Sequence, residues 1–255
     1  MKLRKAFQIG LMALFLCSGT LAGAHSLWFN VDGRHWDVGK PVTIELGWGH
    51  KFPRDTEMKE GMLNEVFALA PDGKKIPLKQ ISKTIFQFVP PEEGVYVISG
   101  NVHPGFVSKT TQGYKMGPKN SFKQVVSCFH YDLRGKTFLY AGDHAKMPVQ
   151  AVEDPLEIIP MENPLGLKRG SDFPIRVLFN GKPLADATVN ATYAGFSDQP
   201  HTFALTVKTD QKGMAGLGLV EKGKWFLSVT HEIPYHDKKE CDTQKYNATI
   251  TFDVK

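Results

Sequence analysis

The sequence predicts an all-β protein made of two tandem β-sandwich domains. Short runs rich in β-branched and aromatic residues recur along the chain, and Gly, Pro, Asn and Asp separate them. No segment shows the apolar repeat of a long helix. With 255 residues, 42% of them hydrophobic, the chain can bury one or two cores, which excludes a wholly disordered protein.

Residues 1–24 have the pattern of a secretory signal peptide. Lys2, Arg4 and Lys5 form a basic start, an apolar run follows from Ile9 to Cys17, and Ala22-Gly23-Ala24 offers a small–x–small cleavage site. The apolar run is too short to span a bilayer stably, and no later stretch predicts a transmembrane helix. We therefore expect export to the periplasm and no transmembrane segment in the mature chain.

Cleavage after Ala24 changes the charge and the cysteine count. The formal charge of +5 falls by three to +2, because the removed segment carries three basic residues and no acidic residue. A charge this small gives no reason to expect a nucleic-acid partner. Of the three cysteines, Cys128 and Cys241 remain. In an oxidising compartment they favour a disulfide, and two separately buried thiols are the alternative.

The first domain, residues 25–150, is predicted from strands bounded by turn residues. Thr110 to Asn120, which contains Lys115 and Lys119, is predicted to be a solvated loop, with contact to a partner as the alternative. Asp143 to Met147 has room for one helical turn. The predicted strands are Ser26–Val31, Val42–Trp48, Asn64–Ala70, Lys75–Leu78, Thr84–Val89, Val95–Ser99 and Phe122–Tyr131.

The second domain, residues 151–255, follows a predicted linker at Pro148 to Asp154. Seven short strands in about a hundred residues is the number found in immunoglobulin-like sandwiches. The sequence Thr209-Asp210-x-x-Gly213 followed by Gly223-x-Trp225 also resembles the transthyretin-like type of sandwich. The predicted strands are Leu156–Ile159, Phe173–Phe179, Ala187–Tyr193, Thr202–Val207, Ala215–Leu219, Trp225–Thr230 and Tyr246–Val254.

The sequence shows no catalytic machinery. It has no Gly-rich phosphate loop, no His-Glu-x-x-His pair and no Gly-x-Ser-x-Gly elbow. We therefore do not expect an enzyme. A copper enzyme that holds its ion through an N-terminal histidine is the one enzymatic alternative left open.

Histidine is the residue type that indicates a function. If His25 becomes the N-terminus, its α-amino group and its ring Nδ1 can chelate one metal ion. A third nitrogen from another histidine would complete a T-shaped arrangement, which suits Cu(II) or Ni(II). His50 lies in the turn Gly47-Trp48-Gly49-His50-Lys51-Phe52-Pro53, where glycines let the backbone expose the imidazole.

Other histidines lie at predicted strand ends. His231 and His236 follow a strand directly before Cys241, and His103 follows another strand end. We predict His25, His50 and His231 as metal ligands, with His236 and His103 in reserve; a solvated or packed side chain is the alternative for each. No pattern supports the remaining candidates His35, His144 and His201.

Several segments of the chain occur together in a known family. They are Ala24-His25-Ser26-Leu27-Trp28, Gly49-His50-Lys51-Phe52-Pro53, Glu92-Glu93-Gly94-Val95-Tyr96, Leu178 to Leu184 and the ending His231-Glu232 with Tyr246 to Thr249. They resemble an exported bacterial family of a domain of unknown function, labelled as the periplasmic component of cobalt or nickel uptake systems. His25 matches the family's histidine after signal cleavage, and His50 lies in its Gly-His-x-Phe-Pro segment.

The resemblance implies two β-rich domains, a Ni(II) or Co(II) ion and membrane metal-transporter subunits as partners; Cu(II) is a third candidate ion. The leading hypothesis is therefore a periplasmic metal-binding protein accessory to an uptake transporter. The alternative is a carbohydrate- or protein-binding adhesion module without metal function. In that case Trp28, Trp36 and Trp48 would be exposed for sugar stacking, whereas ordinary core packing is the other explanation for them.

Overall fold

Strands provide nearly all of the regular structure. The structure is a computed structural model that describes residues 25–33, 35–142 and 151–255. Helical geometry in these ranges is confined to two 3-10 turns, Lys119–Ser121 and Pro164–Gly166. None of the described segments forms a helix of the length and apolar character that crossing a bilayer requires. The predicted signal peptide and the predicted turn at 143–147 lie outside the described residues.

The strands form three sheets, which confirms the predicted all-β class. In chain order they are β1 Ser26–Val31, β2 Val42–Gly49, β3 Leu63–Leu69, β4 Lys75–Pro77, β5 Lys79–Gln80, β6 Ile85–Phe88, β7 Gly94–Val102, β8 Gly105–Thr110, β9 Gly113–Met116, β10 Val125–Ala141, β11 Leu156–Pro160, β12 Asp172–Phe179, β13 Lys182–Pro183, β14 Thr188–Tyr193, β15 Leu205–Lys208, β16 Met214–Gly218, β17 Gly223–Pro234 and β18 Thr243–Val254.

A central sheet of ten strands joins the two halves of the chain. Its order is β15-β14-β17-β18-β10-β7-β3-β4, and β8 and β9 extend it beside the first part of β10. The long strand β10 pairs antiparallel with β7 and β8 and parallel with β18. The predicted domain ranges, 25–150 and 151–255, therefore meet along one continuous sheet.

The two smaller sheets cover opposite faces of the central sheet. The N-terminal sheet (β1-β2-β6-β5) packs on one face of β3, β7 and β10, and the C-terminal sheet (β11-β12-β13 with β16) packs on the other face. Because side chains alternate along a strand, Tyr96 and Leu139 enter the first core, whereas Val97 and Phe138 enter the second. Burial on both faces explains the uninterrupted apolar run 138–141.

One predicted loop contains a strand, and two tryptophans of the adhesion alternative are core side chains. The predicted loop at Thr110 to Asn120 contains strand β9, because residues 113–116 pair with β8. Trp28 and Trp48 are only 1% and 7% exposed, so they are core side chains and not a sugar-stacking surface. Burial of Trp28 leaves no polar group unpaired, because its indole Nε1–H donates to the Pro53 carbonyl at 3.0 Å.

Strand β1 is hydrogen-bonded to strand β18 of the central sheet. The hydroxyls of Thr249 and Thr251, on β18, donate to the carbonyls of Leu27 and Phe29. Gly135 on β10 allows this close approach, because a Cβ there would lie 2.6 Å from the Leu27 carbonyl oxygen. These contacts hold the start of β1 at the junction of the two halves.

The predicted disulfide is confirmed. Cys128 of β10 and Cys241, in the turn before β18, are bonded with their Cα atoms 5.0 Å apart. Both sulfurs are buried beside Tyr235 and Phe106. The bond therefore links segments 113 positions apart in the chain, at the β10–β18 pairing that joins the two halves.

Candidate metal centre

Three imidazoles lie side by side at the junction of the two halves. The antiparallel register pairs Ser26 with Gly49, so His25 and His50 are the next cross-strand neighbours. Their ring centres are 4.2 Å apart, and the centre of the His201 ring lies 4.5 Å from that of His50. His50 therefore stands between two imidazoles, one from the start of β1 and one from the second half of the chain.

The turn after β2 fixes the position of His50. One carboxylate oxygen of Asp55 accepts hydrogen bonds from the backbone N–H groups of His50 and Lys51, at 2.6 and 3.2 Å. Gly49 has φ +134°, and a Cβ at this position would overlap the Asp55 carboxylate. The Pro53 carbonyl at the end of the turn accepts from the side chain of Asn30 at 3.1 Å. This loop is therefore anchored to β1.

His201 reaches the cluster from the connection between β14 and β15. Its φ of +54° turns the chain sharply, and its backbone N–H donates to the His50 carbonyl at 3.2 Å. The side chain itself is exposed. This backbone hydrogen bond holds the His201 loop against the turn that carries His50.

An aromatic floor lies beneath the histidines. Trp28, Phe52 and Phe226 contact one another with ring centres 5.4 to 6.0 Å apart, and the His25 ring stacks on Trp48 at 5.1 Å. The groove above this floor is open to solvent, and His50 and His201 line it. The rings limit access of water from below, so the imidazoles face solvent from one side.

Burial favours the neutral form of the two imidazoles His25 and His50. Burial lowers the pKa of His50 to about 4, and repulsion from His25 and His201 acts in the same direction. Burial also lowers the pKa of His25, against the attraction of Asp55. For Asp55, burial raises the pKa, but the hydrogen bonds from the loop N–H groups and the charge of Lys51 outweigh it, so the net pKa is lowered. Neutral imidazole is the form that binds a metal ion.

The ring spacing fits ligation of one ion. Two imidazoles bound at a right angle, with metal–nitrogen bonds of about 2.0 Å and ring centres about 1.1 Å farther out, have centres about 4.4 Å apart. The observed spacings bracket that value. The Nδ1 atom of His50 is buried and has no hydrogen-bond partner among the described residues, as expected of a nitrogen reserved for a ligand.

The candidate ligand nitrogens do not point to one common position. Among the described residues, no group of three or more His, Cys, Asp or Glu side chains is arranged so that it could hold a metal ion as it stands. Binding would therefore require rotation of imidazole rings. His201 is exposed and His25 is half-buried, so both rings have room to turn.

The other predicted ligands lie elsewhere. Along β17, Phe226 faces the groove while Val229 faces the C-terminal core, so His231 lies on the core side. Its ring packs on Phe179 at 4.6 Å, and the five residue steps from Phe226 to His231 span about 17 Å. The structure thus places His231 on the opposite face of the sheet from the cluster.

His236 and His103 have different surroundings. The His236 ring lies 4.3 Å from that of Tyr235, beside the disulfide and beyond the end of β17. His103 is exposed in the turn between β7 and β8, where its backbone N–H donates to the Met62 carbonyl. Of the predicted ligands, the structure brings together His25 and His50, and it adds His201, for which the sequence offered no signal.

Comparison with known proteins gives a family but no close structural relative. Among curated proteins, none matches this chain. The D0-D1 domain of intimin aligns with 12% identity and a TM-score of 0.24 over 89% of this chain and 97% of that one. The fibronectin(III)-like modules of Clostridium thermocellum CbhA align with 10% identity and a TM-score of 0.20 over 89% and 94%. Such low scores support no argument about function. Because the match extends over residues 22–233, the chain belongs to the family described as Domain of unknown function (DUF4198).

Proposed function

We propose that the protein captures a divalent transition-metal ion, Ni(II) or Co(II) with Cu(II) as a third candidate, at His25, His50 and His201. The observation that carries the proposal is the row of three adjacent imidazoles with ring spacings of 4.2 and 4.5 Å. Imidazole nitrogen is a ligand that these ions share. The metal is cargo in this proposal, and no chemical transformation is assigned to it.

Each residue has a separate role. His25 would bind through its ring and, after cleavage at Ala24, through its α-amino group. His50 would supply the buried nitrogen, held in place by the Asp55 hydrogen bonds. His201 would close the site from the open side. Removal of Asp55 would act through the orientation of His50, because its carboxylate binds the loop backbone.

Delivery to a membrane metal-transporter subunit is the second part of the proposal. The cluster lies at the surface in an open groove, and its outer ligand is exposed. A carrier needs such access, whereas a structural metal site is closed by four protein ligands. The resemblance of segments along the whole mature chain to a family labelled as a nickel and cobalt uptake component motivates this part of the proposal. Export to the periplasm, with cleavage before His25, is part of this proposal.

Metal titration of the chain that begins at His25 tests the site. We expect 1:1 binding tighter than about 100 μM for at least one of Ni(II), Co(II) and Cu(II). His50→Gln and His201→Gln should each weaken binding by about tenfold or more, since each removes a ligand. His231→Gln is the matched control and should bind as the parent protein does. An unchanged affinity in His201→Gln would remove that residue from the site.

The adhesion hypothesis gives the opposite results. Glycan or protein binding that a chelator leaves unchanged, together with no measurable metal affinity, would favour it. The burial of Trp28 and Trp48 removes two of the three aromatic side chains on which sugar stacking would depend.

A further inference from the structure

The β8–β9 hairpin belongs to a segment with an unusual charge distribution. Between Gly94 and Tyr131 the sequence contains no Asp, Glu or Arg, but it contains four lysines. Of these, Lys119 forms an ion pair with Asp242. The other three are exposed. They are Lys109, Lys115 and Lys123. We call the β8–β9 hairpin together with these three lysines the cationic hairpin.

Large apolar side chains are exposed on the same element. Tyr114 and Met116, both on β9, are 53% and 62% exposed, and Val126 at the adjacent bulge of β10 is 63% exposed. The register pairs Lys109 with Tyr114 and Val107 with Met116. Paired residues of antiparallel strands share a face, so Lys109 lies among apolar side chains on one face of the hairpin.

Strand β9 lies at the edge of the central sheet, where it pairs with β8. All four of its residues are exposed. Exposed apolar side chains beside lysines, on a segment that itself contains no acidic residue, are characteristic of a contact with a negatively charged interface. Two contacts fix the position of the hairpin. The Ser108 hydroxyl donates to the Gly117 carbonyl at 2.8 Å, and the Cys128–Cys241 disulfide anchors the neighbouring strand β10.

We propose that the cationic hairpin docks the protein on an anionic lipid surface. A lipid surface offers phosphate charge for the lysines and, a few ångströms deeper, an apolar layer for Tyr114, Met116 and Val126. A lipid surface covers the lysines and the apolar side chains at once, whereas an acidic protein segment would need apolar side chains of its own at matching positions. This inference does not depend on the metal site, since the hairpin and the histidine cluster share no residue.

Vesicle sedimentation with the chain that begins at His25 tests the proposal. The probes are vesicles of equal parts phosphatidylglycerol and phosphatidylcholine, and vesicles of phosphatidylcholine alone. We expect binding to the first and not to the second, and weaker binding as salt rises, because surface charges are screened. Replacing Lys109, Lys115 and Lys123 by Gln should weaken binding by about fivefold for each lysine that reaches the headgroups, and the largest single effect should be that of Lys109, which shares a face with Tyr114 and Met116.

Two further variants separate charge from position. Lys79→Gln, Lys83→Gln and Lys208→Gln, combined in one protein, remove the same charge from exposed positions elsewhere and should change binding by less than about twofold. Tyr114→Ser with Met116→Ser should weaken binding at low and high salt alike, because the lost contact is apolar. Thermal unfolding checks that each variant is folded.

The outcomes decide the proposal in both directions. Binding that prefers anionic vesicles and is lost in the hairpin variants supports it. Three results would overturn it. They are equal binding to both kinds of vesicle, equal loss of binding in the two triple-lysine variants, and full binding by the variant that lacks Lys109, Lys115 and Lys123. Absence of vesicle binding at low salt would also overturn it, and binding to an acidic polypeptide in that case would identify a protein partner instead.

Discussion

The neutral state of His50 makes the metal-free protein sensitive to acid. The folded protein holds the pKa of His50 near 4, whereas an unperturbed histidine has a pKa of 6.5. Between these values the unfolded chain binds more protons than the folded protein, so stability falls as the pH drops from 6.5 to 4. Replacing His50 by Asn removes this titration, and the variant should lose less stability across that window.

The expected loss of stability follows from the two pKa values of His50. At 1.36 kcal/mol for each pH unit between 4 and 6.5, the full effect would be about 3.4 kcal/mol. His50 is partly exposed at the groove, and solvent screening reduces such effects, so about 1 to 2 kcal/mol should be measured. The lowered pKa of His25 acts in the same direction in the parent protein.

Urea unfolding at pH 7, 6, 5 and 4.5, in the presence of a chelator, measures this difference. The parent protein should lose about 1 to 2 kcal/mol more than His50→Asn between pH 7 and pH 4.5. Thr202→Asn, at an exposed position on the His201 loop, is the control and should follow the parent. Parallel pH profiles for the parent and His50→Asn would refute the account of His50 as a neutral, partly buried imidazole.

Three further predictions concern the framework around the site. Reduction of Cys128–Cys241, or its replacement by two alanines, should destabilise the protein by about 4 to 5 kcal/mol, measured by urea unfolding, because the bond closes a loop of more than a hundred residues. Glu157→Leu should cost about 3 to 5 kcal/mol, because it leaves the Lys136 ammonium buried without its partner 2.6 Å away. Gly135→Ala should destabilise by about 1 to 3 kcal/mol and weaken metal binding in titration, because its Cβ pushes against β1.

Control variants accompany Glu157→Leu and Gly135→Ala. Lys136→Met combined with Glu157→Leu should recover most of the stability lost in Glu157→Leu, since no charge is then left unpaired. Gly218→Ala adds a Cβ that meets no atom within 4 Å and should leave metal affinity unchanged. Equal metal affinity in Gly135→Ala and the parent would show that the position of β1 does not govern the site.

The sequence predicted the strands that local chemistry determines. Strand β1 has the predicted bounds Ser26–Val31, and β2, Val42–Gly49, differs from its prediction by one residue. Strand β10 was predicted too short, at Phe122–Tyr131, since its second part is buried on both faces and lacks the alternation that marks a half-exposed strand. The parallel pairing of β10 with β18 had no local signal, because it joins residues more than a hundred positions apart.

The candidate metal site was likewise predictable from the sequence only in part. His25 and His50 could be selected from the sequence, because the predicted cleavage site marks His25 and the glycine-rich turn marks His50. Their adjacency depends on the β1–β2 register, and His201 depends on a distant loop being folded back over that turn. His231 looked equivalent to His50, since both end a predicted strand, but the direction of its side chain is set by the alternation along β17.

The amine–imidazole chelate proposed for His25 can be tested by comparing two proteins. The Ni(II) dissociation constant is measured for the chain that begins at His25 and for the same chain with one alanine added before His25. The added residue converts the α-amino group into an amide, so the account predicts binding weaker by about tenfold or more. Equal affinity in the two proteins would contradict the claim that His25 binds the ion through its amine and its ring.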